Sequence, residues 1–213
     1  MTHNDNSVNI AVRDHATPAA ARAPYHHGDL RSALIAAGLE ALENGSVDAL
    51  SLRALAREAG VSATAVYRHF PDKEALLGAL ALAGLDRMAE AQQAASAAAA
   101  GQGPFPAFCA SGAAYVRFAM AHPELFRLMW KVAPRGDQLS QPIEEAHPAM
   151  ADLRRAVADM ASPGASEADK RATALRCWGL VHGLATLVLD QQITLDDAIL
   201  ERVIGGLAAG MRA

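Results

Sequence analysis

The sequence contains no stretch of 18 uninterrupted apolar residues, so no membrane-spanning helix is expected. Aromatic residues are scarce, 5% of 213 positions, although 52% of the positions are hydrophobic. A core must then be built from Ala, Leu and Val, which is a helix-forming palette, and few segments look like strands. Cysteine is nearly absent. Cys109 and Cys177, 68 positions apart, fit buried thiols and not a disulfide framework. Positive charge is not in excess, with 19 Lys+Arg against 23 Asp+Glu and a net charge of −4. That balance argues against coating nucleic acid through bulk charge, so any such contact must come from a local surface. The opening residues, "MTHNDNSVNIAVRDHATPAAARAP", have no basic cap followed by an apolar block, so no secretion signal and a cytoplasmic location are expected. Internal repeats are absent. No cofactor, metal or catalytic residue is expected, because no nucleophile, carboxylate or second imidazole stands at triad or metal spacing from the one suggestive histidine, His182.

What is present is helical periodicity. The length suits one large domain or two small ones. Residues 1–24 are polar and aperiodic and read as a disordered, solvated arm, in which phosphate contact by Arg13 and Arg22 is the alternative. Helix 1 is predicted from about Gly28 to Glu43 and stops at Asn44-Gly45. Ser51 caps helix 2, which Gly60 ends, and Ser62 caps helix 3, which ends near His69 because Pro71 pushes Phe70 out of the helical region. Asp72 caps helix 4, which fades into "AQQAASAAAAGQGP". Gly101 to Pro104 is the clearest break. Helices 5 (about 104–121) and 6 (about 123–131) follow, then a loop through Pro134, Gly136 and Pro142. Helix 7 (about 143–161) is ended by "SPG", helix 8 spans about 166–190, and Thr194 caps helix 9. The fold class is all-α, with about nine helices.

Helices 2 and 3, joined by "EAGVS", form a helix-turn-helix candidate over 51–70 with Gly60 where the bend needs a positive φ. Helix 3 is too short to be stable alone. Val61, Val66 and Phe70 anchor it inward. Ala63, Thr64, Tyr67 and Arg68 then face out. Small residues let a helix approach base edges, a methyl can meet thymine, and Arg can grip guanine O6 and N7. Tyr67 and His69 suit phosphates, and Lys73 adds charge at the start of helix 4. A short polar surface corner without DNA function would carry the same residues.

Residues 26–85 resemble the N-terminal domain of the TetR family of bacterial transcriptional regulators. The resemblance is carried by "HHGDLRSALIAAGLEALENG" and "LSLRALAREAGVSATAVYRHFPDKEALL", with spacing intact through the Tyr-x-His-Phe and Asp-Lys-Glu elements. It implies a DNA-binding domain over 26–88 and a ligand-binding and dimerisation domain over 89–213. It also implies base or phosphate contact by Ala63, Thr64, Ala65, Tyr67, Arg68, His69 and Lys73, with Ser51 and Arg53 as second-rank phosphate contacts. "RCWGLVHGLATLVLD" resembles the Trp-x-x-x-His-Gly signature of one TetR subgroup.

The second half supports dimerisation from its own residues. Gly179, Gly183 and Thr186 form a narrow stripe on helix 8 opposite Cys177, Val181, Leu184 and Val188, and Gly206 and Gly210 recur on helix 9. Small stripes on two helices suit a four-helix contact between two copies. Trp178 and His182 lie on the flank of that stripe and are assigned to the dimer rim, with the ligand pocket as the other placement. The pocket is expected among helices 4–8, lined by Phe108, Tyr115, Phe118, Phe126, Met129, Trp130, Cys177 and Val181, unless these aromatics are plain core. The resulting expectation is a homodimeric regulator, most often a repressor, released from a palindromic double-stranded DNA operator by a small apolar effector. An all-α enzyme on a hydrophobic substrate and an interaction protein with a vestigial helix-turn-helix are the rival functions.

Overall fold

Capping and proline chemistry partition the chain. The computed structural model describes residues 30–132 and 136–211, with side chains through Gly206, and among these residues there are nine α-helices and no strand. The N-terminal arm with Arg13 and Arg22, the helix 1 start at Gly28, and Pro134 lie outside the described residues. Residues 31–213 form one compact unit, and every element below belongs to it apart from Leu30.

Helix α1 (Leu30–Asn44) buries Leu34, Gly38, Leu39 and Leu42. A 3-10 turn, Val47–Ala49, leads to α2 (Leu52–Glu58) and α3 (Ala63–Tyr67). Ser51 holds the N-cap position of α2, but its side chain makes no capping bond, contrary to expectation. Ser62 does cap α3, accepting from the Ala65 N–H at 3.2 Å. Helix α3 is shorter than predicted, yet helical bonding persists to Phe70, whose N–H donates to the Val66 carbonyl at 3.0 Å.

Asp72 caps α4 (Lys73–Ala99), accepting from the Ala75 N–H at 2.7 Å. The alanine run, helical by propensity, stays helical to Ala99, just before the break at Gly101–Pro104, so α4 crosses the 88/89 domain boundary without a break. A 3-10 turn and Gly103, at φ 110°, separate it from α5 (Pro104–Ala121), with Pro104 in the first turn. Helices α6 (Pro123–Val132), α7 (Pro148–Met160), α8 (Glu167–Leu189) and α9 (Asp197–Met211) follow. Helix α7 starts five residues later than predicted. Pro148 would break the interior of a 143–161 helix, and here it occupies the first turn behind His147. The cap of α9 is Asp196, which accepts from the Ile199 N–H at 2.8 Å, and not Thr194. Ser166 and Asp169 form a reciprocal capping box on α8.

Helix α4 is the spine. It packs on α5, α6 and α7, and α8 and α9 pack on α5. Two glycines set how closely neighbours approach. A Cβ on Gly38 would lie 2.9 Å from a Leu80 methyl, and one on Gly84 would lie 2.8 Å from Leu125 Cδ1 and 2.9 Å from Met129. Leu76, Leu80, Met88, Leu128 and Met129 are fully buried along this spine. Cys177 is buried and Cys109 half-buried, both as free thiols, and burial raises the pKa of each. Helix α8 is long and apolar enough to cross a membrane, with a mean hydropathy of 1.4 over 18 residues of which 22% are buried. Its buried face packs on α5 and α7; Leu175, Gly179 and Leu187 are exposed on its outer side, beside Arg171, Arg176 and Thr186.

Candidate nucleic-acid interface and cavity

The α2–α3 turn is closed by backbone bonds. The Val61 N–H donates to the Ala56 carbonyl at 2.9 Å, and Gly60 sits at φ 69°, the left-handed conformation such a closure needs. Val66 and Phe70 are fully buried, and Arg31 of α1 stacks its guanidinium 5.4 Å from the Phe70 ring centre. These contacts hold a five-residue helix that could not persist alone. Ala63, Thr64, Tyr67, Arg68 and His69 are exposed, as are Ser51 and Arg53. Ala65 and Val61 are half-buried. Lys73 is half-buried, and its Nζ donates to the Asp48 carbonyl at 3.1 Å, a tie that no sequence pattern signalled. An ammonium has three hydrogens, so the tie leaves two for another acceptor. The arrangement is a short helix presenting small residues first and Tyr, Arg and His last, on a rigid base.

A cavity of about 1180 Å³ lies among α4, α5, α7 and α8. Phe108, Tyr115, Trp130, Cys177 and Val181 line it, as expected. Phe118, Phe126 and Met129 do not. Phe118 turns to His122, with ring centres 4.8 Å apart, Phe126 stands behind the wall, edge-on to Tyr115 at 5.6 Å, and Met129 is shut into the α4–α6 contact. Trp178 and His182 also line the cavity, which corrects their assignment to a dimer rim. Trp178 is about 100° round the helix from Cys177, between the core face and the glycine stripe, so its partner decides its direction. That partner is Trp130, 5.7 Å away between ring centres.

His182 is bonded through Nδ1 to the Tyr115 hydroxyl at 2.9 Å. Burial raises the Tyr115 pKa and lowers that of His182, so both are neutral at pH 7. Sequence reasoning missed this pair, which joins positions 67 residues apart. It placed helix 4 beside the pocket but named none of the α4 lining. Leu85, Met88, Gln92 and Ser96 recur at helical spacing and line the cavity, a pattern legible in the sequence once α4 is known to continue.

On the outer side of α8, a Cβ on Gly179, Gly183 or Gly206 would meet nothing within 4 Å. Leu175 (56%) and Leu187 (43%) are exposed in line with the two α8 glycines, and Ile199 (48%) and Val203 (36%) continue the surface on α9. Thr186 is exposed and bonds its own helix at the His182 carbonyl. Gly210 falls in the last turn of α9, beyond the described side chains.

A helix-turn-helix with an exposed third helix, followed by helices around a largely apolar cavity, is the architecture of a DNA-binding regulator with a second, helical half. The comparisons agree. A family model described as bacterial regulatory proteins, tetR family, matches residues 34–80, and one described as tetracyclin repressor-like, C-terminal domain, matches residues 108–207. A solved protein of unknown function from Rhodococcus sp. RHA1 is 39% identical, with 89% of this chain and 97% of that chain covered and a TM-score of 0.68. A second structure, described as a possible TetR family transcriptional regulator from Streptomyces coelicolor A3(2), is 23% identical over 72% of this chain and 68% of that one, with a TM-score of 0.53. None of the curated proteins compared matches the chain. The chain belongs to the TetR family and is a DNA-binding transcriptional regulator.

Proposed function

We propose that the protein is a homodimeric repressor that acts in the cytoplasm and leaves a palindromic operator when an apolar effector enters the cavity. The observation that carries this reading is the continuity of α4. It begins at Asp72-Lys73 beside the recognition helix, and the same rod lines the cavity through Leu85, Met88 and Gln92. Ala63, Thr64 and Arg68 read base edges; Tyr67, His69 and Lys73, with Ser51 and Arg53 behind them, hold phosphates. Ala65 backs the helix from its half-buried position. Two copies pair through the surface of Leu175, Gly179, Gly183, Thr186 and Leu187 with Ile199, Val203, Gly206 and Gly210. Pairing covers apolar side chains that one chain leaves in water, and places two recognition helices about one DNA turn, ~34–36 Å, or a multiple apart. The 1–24 arm, the 26–88 reading domain and the 89–213 sensing domain divide the labour.

The test is a mobility shift on DNA flanking the protein's own gene. Tyr67→Ala should weaken binding to all sequences alike and lower the salt slope, whereas Arg68→Ala should relax base preference at one position, at roughly 1–3 kcal/mol. If Tyr67→Ala alters base preference while non-specific affinity holds, the roles are misassigned. No shifted band at all would favour an interaction protein.

A further inference from the structure

Helix α7 turns carboxylates toward a cavity whose other walls carry no charge. Ala149, Asp152, Leu153, Ala156, Asp159 and Met160 recur at helical spacing and all line it, as does Glu145 in the loop before the helix. The inward stripe of a helix is ordinarily apolar, so two aspartates on it are a departure that packing does not ask for. Among the described residues no Lys or Arg lines the cavity. The two cations of α7 are already committed. Arg154 donates to the Gln141 carbonyl at 2.7 Å, and Arg155 to Asp152 at 2.9 Å.

The three acids are not equivalent. Asp152 is half-buried and also accepts from Gln93 of α4 at 2.7 Å, so a tie between two helices accounts for it. Glu145 and Asp159 are exposed, and among the described residues their carboxylates have no hydrogen-bond or ion-pair partner. Lining the cavity yet reaching water, they mark its mouth, where Gln93 and Ala97 of α4 are exposed as well. The interior differs. Met88, Tyr115, Cys177 and Val181 are buried there, and Tyr115 and His182 are both neutral. The cavity therefore has an apolar, aromatic depth and an acidic mouth. A charged group at the mouth keeps part of its water and escapes the cost of full burial. An anion there meets only negative charge, whereas a cation meets two uncompensated carboxylates.

We propose that the effector is a hydrophobic cation. Its apolar body lies among Met88, Phe108, Tyr115 and Val181, and its positively charged amine sits at the α7 side of the mouth, against Asp159 and Asp152. This rests on reading the cavity as the effector site and adds the charge of its ligand. The two aspartates are seven residues apart on one stripe, ~10 Å along the helix, so an ammonium between them feels both. A carboxylate accepts from several donors at once, so the ties of Asp152 leave it lone pairs for the amine. The space of about 1180 Å³ admits a body of several rings.

A matched pair of dyes tests it on the full-length protein at pH 7. Nile blue carries a cationic iminium where Nile red, on the same ring frame, carries a neutral carbonyl. Both should bind saturably and quench the two tryptophans, which both line the cavity. Nile blue should bind more tightly at low salt, and added salt should erase most of that advantage. Asp159→Asn breaks no contact within the chain. It should lower Nile blue affinity about two- to fivefold, the worth of a partly exposed ion pair, and leave Nile red unchanged. Asp152→Asn added to it should lower Nile blue affinity further. Val181→Trp should abolish binding of both dyes by filling the space. If Val181→Trp blocks both dyes but Nile red binds as tightly as Nile blue, or the aspartate variants weaken both alike or neither, the cationic class is wrong while the cavity reading stands. If neither dye binds, or Nile blue binds regardless of Val181→Trp, the cavity reading fails and this inference with it.

Discussion

His182 is held neutral by burial, with a pKa below the ordinary imidazole value of 6.5. As pH falls through 6.5, the unfolded chain takes up a proton that the folded chain resists, so the unfolded state gains stability relative to the folded one. The protein should therefore lose stability from about pH 6.5 down to the depressed folded pKa, and hold it above. His182→Gln keeps a hydrogen-bonding group near Tyr115 and removes the titration. The expected outcome is a smaller drop in Tm between pH 8 and pH 5.5 in the variant than in the natural protein. Equal drops would show that His182 does not carry this part of the pH dependence. Tyr115 adds nothing in that range, since burial raises its pKa above an already high value.

Two glycine sites on different helices do opposite jobs. Gly84 on α4 is filled from outside by Leu125 and Met129, so it serves the packing of one chain. Gly183 on α8 faces open space, in line with exposed Leu175 and Leu187, so nothing within one chain requires it to be glycine. Gly183→Leu should leave the monomer folded and disrupt the dimer, by roughly 1–3 kcal/mol per site for overpacking and twice that by symmetry. Light scattering should show a monomer with native circular dichroism. A dimer of unchanged stability would place the interface elsewhere. The exposed leucines of α8 have the same physical origin as its membrane-like hydropathy: a helix with apolar residues on both sides needs cover on both sides.

Helix α4 joins the two halves mechanically. Its 27 residues span about 40 Å. In the proposed repressor, an effector pressing on Leu85 or Met88 would tilt a rod whose other end carries Lys73 and abuts the recognition helix, and a small tilt in each subunit of a dimer would change the separation of two reading heads. The effector shifts this balance only by its unequal affinity for the two arrangements, typically 1–3 kcal/mol of coupling. Val181→Trp should leave operator affinity intact and make the complex insensitive to effector in a mobility shift. Normal release in that variant would move the sensing site away from α8.

The helix-turn-helix is legible in the amino-acid sequence because local chemistry specifies it. Gly60 for the positive φ, Ser62 and Asp72 as caps, Pro71 as a stop and Val66 and Phe70 as anchors act within about twenty residues of one another. Helix count, and the order in which short helices feed a long one, follow from the same punctuation. The alanine-rich end of α4 is legible, because helix propensity carries it to the Gly101–Pro104 break. The late start of α7 and the orientation of Trp178 and His182 are not legible there. Trp178 stands between two faces of α8, and only the position of Trp130, on a helix nearly fifty residues earlier, draws it into the cavity. Tyr115 and His182 meet across 67 residues by the same mechanism. Local chemistry dictates where helices begin, end and turn, because caps, glycines and prolines act over one turn; which side chains converge on a cavity depends on the angles between helices, and those are set by packing across the whole chain.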